Sequence, residues 1–226
     1  MRILLSITLL SLLTACSIGE DIVEDYVPPV IRIENPISSI EAGTTYQLEA
    51  QFINNVGQME DVNPTWTSAN PDLLTVDATG LATAIMEGNT VVTVAYEDEF
   101  GEMASTSLAV EIGASTVIVE ETSRSGSVAT TTFYDLEGDF VLSENAMGGL
   151  TLAFSENYNA DTGLPGLYVY LSNNPNSSAQ AFEIGRVSIF QGAHQYEIEN
   201  VALNDYQYVL YYCKPFNVKV GHGDIE

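Results

Sequence analysis

The sequence is poor in residues of several kinds, and each scarcity excludes a class of protein. Its 226 residues include only six Lys or Arg against 31 Asp or Glu, which gives a formal net charge of −25. Such an acidic chain repels nucleic-acid phosphates and anionic lipid headgroups, so a nucleic-acid-binding role is excluded. We interpret the acidity as a source of solubility outside the cell rather than as a specific cation-binding function.

Cysteine and histidine are equally scarce, with Cys16, Cys213, His194 and His222 as the complete set. No Cys-x-x-Cys-His motif for covalent haem attachment is present, and no nucleophile elbow or glycosidase-like carboxylate signature is recognisable. We therefore expect neither a hydrolase nor a metal-dependent catalyst, and no cofactor is evident. Haem remains possible only without covalent attachment, with His194, His222, Cys213 or Met147 as candidate axial ligands.

The N-terminus has the pattern of an export signal. Residues 3–13 form an apolar run that is too short to span a bilayer comfortably, and one positive charge at Arg2 precedes it. The run ends in Leu13-Thr14-Ala15-Cys16, which resembles a bacterial lipobox. That resemblance implies that residues 1–15 are a cleaved lipoprotein signal peptide and that Cys16 is lipidated. The alternative is an ordinary secretory signal that leaves a free cysteine.

Residues 16–29 read as an acidic tether that begins at the lipidated Cys16. They contain Glu20, Asp21, Glu24 and Asp25, with too little apolar content for a core. An acidic stretch at this place resembles the surface-export signal of some bacterial lipoproteins. We therefore expect a protein anchored by acyl chains in the bacterial outer membrane, and the sequence leaves open whether it faces the cell surface or the periplasm.

Residues 30–112 alternate between apolar and polar side chains in short segments. Tyr46, Leu48, Ala50 and Phe52 fall on one face of a half-buried strand. Further short strand-like segments are separated by Gly, Pro and Asn residues at turn-like spacing, and no segment has the period of an amphipathic helix. This pattern predicts an all-β sandwich or barrel.

Three motifs in this region resemble the bacterial immunoglobulin-like domain, group 2. The resemblance implies a β-sandwich with Trp66 filling the space between two sheets, in a module that acts as a spacer or in adhesion. The motifs are Gly43-Thr44-x-x-x-Leu48, Pro64-Thr65-Trp66-Thr67-Ser68-Ala69-Asn70-Pro71 and Val76-Asp77-x-x-Gly80-Leu81-Ala82-Thr83-Ala84.

After a predicted linker at residues 113–122, residues 123–226 form a second all-β unit that is richer in Tyr and Phe. No helix of useful length is expected here, and the second domain is predicted to be a small β-sandwich or barrel-like fold. The strand-like segments are residues 140–142, 150–154, 167–171, 182–184, 195–198, 206–212 and 216–220.

The second unit resembles the DM-thirteen domain, a small extracellular β domain often found beside haem- or sugar-binding domains. Its most specific segments are Val169-Tyr170-Leu171-Ser172 and Cys213-Lys214-Pro215-Phe216. The resemblance implies an electron-transfer or redox role centred on a cysteine, which maps to Cys213. Two departures are the insertion-like residues 157–163 and Pro165-Gly166, where the family usually has Pro-Asp.

The residues around Cys213 leave two interpretations open. Lys214 would favour a nucleophilic thiolate electrostatically, whereas the many acidic residues would disfavour it. If Cys16 is lipidated, Cys213 has no partner for a dithiol cycle within the chain. Cys213 is therefore either a redox thiol or a buried structural residue.

Two further features have a structural and a functional interpretation. The loop at residues 157–163 begins like a calcium loop but lacks the closing Glu, so we predict a polar turn and no metal site. The tyrosines at positions 206, 208, 211 and 212 would serve a recognition surface or the core, and we predict core packing.

Two functional hypotheses follow from the sequence. In the first, the C-terminal domain transfers electrons through Cys213 to or from a redox partner, while the immunoglobulin-like domain is a spacer. In the second, the protein is a non-enzymatic surface adhesin that recognises a glycan or protein partner, and Cys213 is structural.

Overall fold

The computed structural model describes residues 25–226, which fold into two β domains. The predicted signal peptide, Cys16 and most of the acidic tether lie outside the described residues. Within residues 25–226 the only helix is a single turn of 3₁₀ helix, so the all-β prediction is confirmed. None of the described helices is long and apolar enough to cross a membrane.

The first domain is a sandwich in which a five-stranded sheet of order β11-β2-β10-β9-β6 faces two three-stranded sheets of order β1-β4-β5 and β3-β8-β7. Strands β2 and β10 run parallel, and every other pair in this domain is antiparallel. The strands are β1 (Val30–Ile33), β2 (Ile37–Glu41), β3 (Thr45–Gln47), β4 (Ala50–Ile53), β5 (Met59–Glu60), β6 (Thr65–Ser68), β7 (Leu74–Val76), β8 (Leu81–Ala84), β9 (Gly88–Glu97), β10 (Met103–Gly113) and β11 (Val117–Ile118).

The alternation from Tyr46 to Phe52 is present, but it belongs to two strands rather than one. Strand β3 pairs with β8, whereas β4 pairs with β1 in the neighbouring sheet. Between them, the backbone N–H of Leu48 donates to Gly80 O, and Glu49 O accepts from the N–H of Glu34. The chain thus changes its pairing partner at this point while its apolar residues keep facing the core.

Gly80 permits the close packing of this region. Its φ of +87° lies in the left-handed region, and a Cβ there would come within 2.5 Å of Leu48 O and 3.2 Å of the Trp66 ring. Trp66 itself is buried in the core, as the sequence predicted. The predicted linker at residues 113–122 contains β11, which joins the first domain's sheet beside β2.

The second domain is one curved sheet of order β17-β16-β19-β20-β12-β13-β14-β18, with β15 pairing on β13, that forms a nearly closed barrel. Its interior holds the larger of the two main cores. The strands are β12 (Ser123–Thr130), β13 (Leu136–Glu144), β14 (Leu150–Phe154), β15 (Asn159–Ala160), β16 (Leu167–Ser172), β17 (Phe182–Arg186), β18 (His194–Ile198), β19 (Tyr208–Cys213) and β20 (Val218–Asp224), with the 3₁₀ turn at Lys214–Phe216.

The connection between β19 and β20 differs from the prediction of a strand beginning at residue 216. Lys214–Phe216 forms the 3₁₀ turn instead, with Pro215 in its first turn. Proline fits there because its missing N–H would have no partner in the first turn. Asn217 then adopts a left-handed conformation with φ of 50°, which ends the turn and starts the return strand.

Candidate functional site

Cys213 is the last residue of β19 and lies inside the barrel. Strand alternation places Val209, Tyr211 and Cys213 on the inner face, and Leu210 and Tyr212 on the outer face. The side chain of Cys213 is free, and the residue is only 1% exposed. The thiol therefore has no direct access to bulk solvent.

A cavity of about 340 Å³ adjoins Cys213 where β19 ends. Phe216, whose exposed fraction is 67%, extends at its edge, and Phe133, at 87%, packs against Tyr134. Cys213 is thus one of the residues that line an opening with mainly apolar walls. Besides Cys213, the lining residues are Tyr134, Gly163, Leu164, Pro165, Phe216 and Val218.

The two lysines closest in sequence to Cys213 are engaged elsewhere. The Lys214 ammonium lies 2.6 Å from Glu183 Oε2 and 4.9 Å from the centroid of the Tyr168 ring, and this pairing raises the pKa of Lys214. The ammonium of Lys219 donates to Asn176 Oδ1 at 3.0 Å, and burial lowers its pKa. Because Asn176 O also accepts from the Tyr212 hydroxyl, this cation lies on the outer face, away from the thiol.

Farther inside the barrel, an aromatic cluster surrounds Phe154 at the end of β14. Its ring centroid lies 4.8 Å from Tyr158, 5.0 Å from His194, 6.3 Å from Tyr211 and 6.4 Å from Tyr196. His194 is stacked on Phe154 because the two residues are register partners on β18 and β14. We call Phe154, Tyr158, His194, Tyr196 and Tyr211 the aromatic cluster.

Polar atoms of this cluster are buried without a hydrogen bond of ordinary geometry among the described residues. They are the hydroxyl oxygens of Tyr158, Tyr196 and Tyr211 and the Nε2 atom of His194. The hydroxyls of Tyr158 and Tyr211 are neighbours, and their contact acts to lower the pKa of Tyr158 and to raise that of Tyr211. Burial raises the pKa of Tyr196 to about 12 and raises those of Tyr158 and Tyr211 further still. The tyrosines consequently remain neutral phenols at any physiological pH.

The tautomer of His194 follows from its other ring nitrogen. Nδ1 lies 2.9 Å from the carbonyl oxygen of Gly192, which can only accept, so Nδ1 carries the proton. In the neutral ring, Nε2 therefore presents a lone pair. His194 also contacts Tyr158 and Tyr196, with ring centroids 4.5 Å and 5.4 Å apart.

The sequence indicated only part of this cluster. Tyr211 is fully buried and Tyr212 nearly so, whereas Tyr206 and Tyr208 are half-buried. Alternation along β18 would have placed His194 and Tyr196 on one face. Tyr158 carried no such signal, because it lies within a loop that the sequence predicts to be polar.

The polar side chains of that loop are used in separate local contacts. Asn157 bonds to both the backbone N–H and the carboxylate of Asp139, while Asn159 Oδ1 accepts from Gln191. Asp161 accepts from the N–H of Gly163. Among the described residues, no group of three or more His, Cys, Asp or Glu side chains is arranged to hold a metal ion.

The candidate haem ligands do not meet at one site. His194 faces the barrel interior, whereas His222 pairs in register with Leu210 on the outer face and packs against Tyr208 at 5.8 Å. Met147 lies in the turn after β13 with an exposed fraction of 83%. Within residues 25–226 these side chains therefore provide no pair of axial ligands beside Cys213.

Comparison with known proteins assigns a family to each domain. Residues 29–105 match the bacterial Ig-like domain (group 2), and residues 129–225 match the electron transfer DM13 domain. No curated protein matches the chain. The sheet topologies agree with the two assignments, since a sandwich is followed by a separate, nearly closed barrel. The chain thus contains a group 2 bacterial Ig-like domain followed by an electron transfer DM13 domain.

Proposed function

We propose that this protein is a lipid-anchored component of the bacterial cell envelope whose C-terminal domain transfers electrons at Cys213. The observation that carries the proposal is the position of Cys213, buried at the end of an aromatic-lined barrel beside an apolar cavity. The electron-transfer family of this domain agrees with that position. The Ig-like domain is a spacer that separates the barrel from the membrane.

Burial of the Cys213 thiol favours electron transfer over thiol–disulfide exchange. Thiol–disulfide exchange requires direct contact between two sulfur atoms, and a residue that is 1% exposed does not provide it. Electron transfer needs only a short distance to a donor or acceptor. The apolar opening beside Cys213 gives a redox partner or a small prosthetic group such an approach, since its volume of about 340 Å³ lies at the lower end of small-molecule sites.

A second candidate function is non-enzymatic recognition of a surface glycan or protein. The observation that favours it is the exposure of two large apolar side chains, Phe216 in the lining of the cavity and Phe133 against the lining residue Tyr134. Exposed apolar surface beside a cavity is typical of interaction sites. In this alternative Cys213 contributes only to core packing, as buried cysteines commonly do.

A mediated redox titration of the chain from residue 17 onward separates these candidates. Because a free thiol is already the reduced form, we expect the native protein to give up one electron and the thiol proton to an added one-electron oxidant and to regain both on reduction. Cys213→Ser, with the barrel still folded, should lose this reversible oxidation. Phe133→Ser is the matched control and should leave the titration unchanged, since this residue is exposed and does not line the cavity. If the native protein shows no reversible oxidation, or if Cys213→Ser titrates as the native protein does, the electron-transfer proposal fails.

The anchor is tested independently of the barrel. Cys16→Ser should abolish incorporation of labelled fatty acid and release the protein from the membrane fraction, because acyl chains supply the attachment. Surface exposure predicts that protease added to intact cells degrades the protein. Retention of labelled fatty acid in Cys16→Ser would contradict lipidation at this residue.

A further inference from the structure

A cleft of about 950 Å³ lies between the two domains, and residues of both domains and of the linker line it. Arg32 of β1 and Arg124 of β12 are both among the lining residues, and their like charges repel. Domains of one chain move relative to each other unless a large apolar interface joins them. Packing across the cleft therefore does not account for a fixed arrangement of the two domains.

The linker is bonded to folded structure on both sides of a two-residue gap. On the side of the first domain, the N–H of Val119 donates to Pro36 O, and on the side of the barrel the N–H of Glu144 donates to Thr122 O. Residues 120–121 lie between these bonds, outside any strand, and both are exposed. A short exposed segment of this kind can absorb the change in backbone torsions that a rotation of the domains requires. We call residues 120–121 the hinge.

Asn174, in the loop after β16, makes a second connection between the domains. Its Nδ2 donates to Asp25 O in the tether and, at 3.3 Å, to Val56 O in the turn between β4 and β5. Its Oδ1 accepts from the N–H of Asn176 in its own loop at 2.8 Å. Asn174 is only 2% exposed, so water does not compete for these bonds. One amide group thus joins the tether, the first domain and the barrel.

The segment of the tether that Asn174 binds is itself fixed to the first domain. Val27 is buried, and its N–H donates to Asn55 O at 2.8 Å. The hydroxyl of Tyr26 donates to the carboxylate of Glu102 at 2.9 Å. Residues 25–27 are therefore bonded to both domains at once, and we call them the strap.

The backbones of the two domains approach closely beside the strap, at Gly57. Its φ is +82°, and a Cβ there would lie 2.8 Å from the carbonyl carbon and oxygen of Asn173, so glycine is required on both grounds. Asn173 is buried, and its Nδ2 donates to Asp205 O at 2.8 Å, which fixes the barrel's side of the contact. The turn between β4 and β5 is therefore fitted to this loop of the barrel.

We propose that Asn174 and the strap form a latch that holds the two domains in one orientation. While the latch is closed, rotation about the hinge is blocked. When it opens, the domains rotate and the width of the cleft changes. The inference goes beyond the proposed function and does not depend on the chemistry at Cys213. It gives the spacer role a physical basis, because a spacer positions the barrel only if the two domains do not rotate freely.

Residual dipolar couplings of the chain from residue 17 onward test the latch, because two domains that move as one body share a single alignment tensor. We expect one shared tensor in the native protein, and in Asn174→Asp a loss of alignment of one domain relative to the other by roughly twofold or more. The new carboxylate keeps the acceptor for the N–H of Asn176 but places an oxygen against the carbonyl oxygens of Asp25 and Val56. Asn89→Asp is the matched control, since it makes the same charge change at an exposed residue of β9.

A second pair of variants tests the same joint without changing Asn174. Gly57→Ala should also separate the two tensors, because its methyl group would collide with the backbone of Asn173. Gly43→Ala is its matched control, since a φ of +81° causes the same backbone strain while the added Cβ meets nothing within 4 Å. This pair decides the matter even if Asn174→Asp does not fold.

Two kinds of result would overturn the latch. Different tensors for the two domains of the native protein would show that they do not move as one body. A single shared tensor in folded Asn174→Asp, or equal behaviour of Gly57→Ala and Gly43→Ala, would show that other contacts hold the domains. None of these results bears on the redox titration at Cys213, so failure of the latch and failure of the proposed function are distinguishable.

Discussion

The two domains differ in what their cores contain. The core of the first is mainly aliphatic, with Phe52 and Trp66 as its buried aromatics. Among the described residues of this domain, the only buried side-chain nitrogen or oxygen without a partner is Asp98 Oδ2, in the turn after β9. The second domain holds the other six such atoms that occur among the described residues. A core with satisfied polar groups is suited to rigidity, whereas unsatisfied groups are retained at sites of chemistry.

The turns of the first domain also have satisfied polar groups. Asp77 Oδ1 accepts from Thr79 and Leu81, and Asp98 Oδ1 accepts from Phe100 and Glu102. The hydrogen bonds lower the pKa of the exposed Asp77 carboxyl. These side chains satisfy their own turns and leave no reactive arrangement, which is the behaviour expected of a spacer.

The largest loss of stability should come from a substitution that creates a cavity in the core of the first domain. Leu74→Ala removes a fully buried side chain and should destabilise the first domain by about 3 kcal/mol. Trp66 is the only tryptophan, so its fluorescence during urea denaturation reports this domain. Redox titration at Cys213 should be unaffected below the unfolding transition. Loss of the titration in the folded variant would show that the first domain takes part in the chemistry.

A comparable loss of stability in the second domain should follow from adding a single methyl group at Gly126. A Cβ at Gly126 would lie 1.9 Å from Asp224 O, so Gly126→Ala should destabilise the second domain by about 2 kcal/mol or more. Differential scanning calorimetry should show one transition shifted and the other unchanged. Gly113→Ala is the control, because its added Cβ meets only ordinary contacts. Equal shifts in both variants would refute the steric explanation.

Neighbouring tyrosines of β19 should respond to loss of the hydroxyl in different ways. Tyr212→Phe removes a bond to Asn176 O and should cost about 1 kcal/mol. Tyr211→Phe removes a buried hydroxyl that neighbours the Tyr158 hydroxyl but makes no hydrogen bond of ordinary geometry, and it should leave the free energy of unfolding unchanged or raise it by about 1 kcal/mol. Chemical denaturation followed by tyrosine circular dichroism measures both. A clear loss of stability in Tyr211→Phe would mean that its hydroxyl is satisfied.

The pH dependence of the barrel should have a contribution from His222. Burial and the charge of Lys219 lower its pKa in the folded protein, so the unfolded chain binds more protons near neutral pH. Its contribution to stability is therefore present above the unfolded pKa and decreases as the pH falls below about 6.5. Unfolding measured at pH 7.5 and 5.5 should show a smaller decrease in His222→Gln. An identical decrease in both proteins would exclude this contribution.

Lys214→Ala should have the smallest effect on the stability of the second domain. The ion pair with Glu183 is exposed, and such pairs contribute little to stability. Because the ammonium lies on the outer face, the labelling rate of the Cys213 thiol should also stay unchanged. A large fall in that rate would show that Lys214 does activate the thiol, as the sequence alone allowed.

The sequence predicted the fold better than the site. Turn residues and alternation indicated the strand Leu150–Phe154 with its observed bounds, because local pattern determines them. The position of Tyr158 depends on tertiary packing, which brings a residue from a polar loop against β18 and β19. Likewise, only the strand's orientation in the barrel shows that Lys214 points away from Cys213.

The central claim is that electron transfer belongs to the interior of the second domain. The most direct measurement is a mediated redox titration of the chain from residue 17 onward, comparing Cys213→Ser with Tyr46→Phe in the first domain. The account predicts reversible one-electron oxidation of the native protein and of Tyr46→Phe, and none of Cys213→Ser. Absence of this oxidation in the native protein, or an equal oxidation in all three, would contradict it.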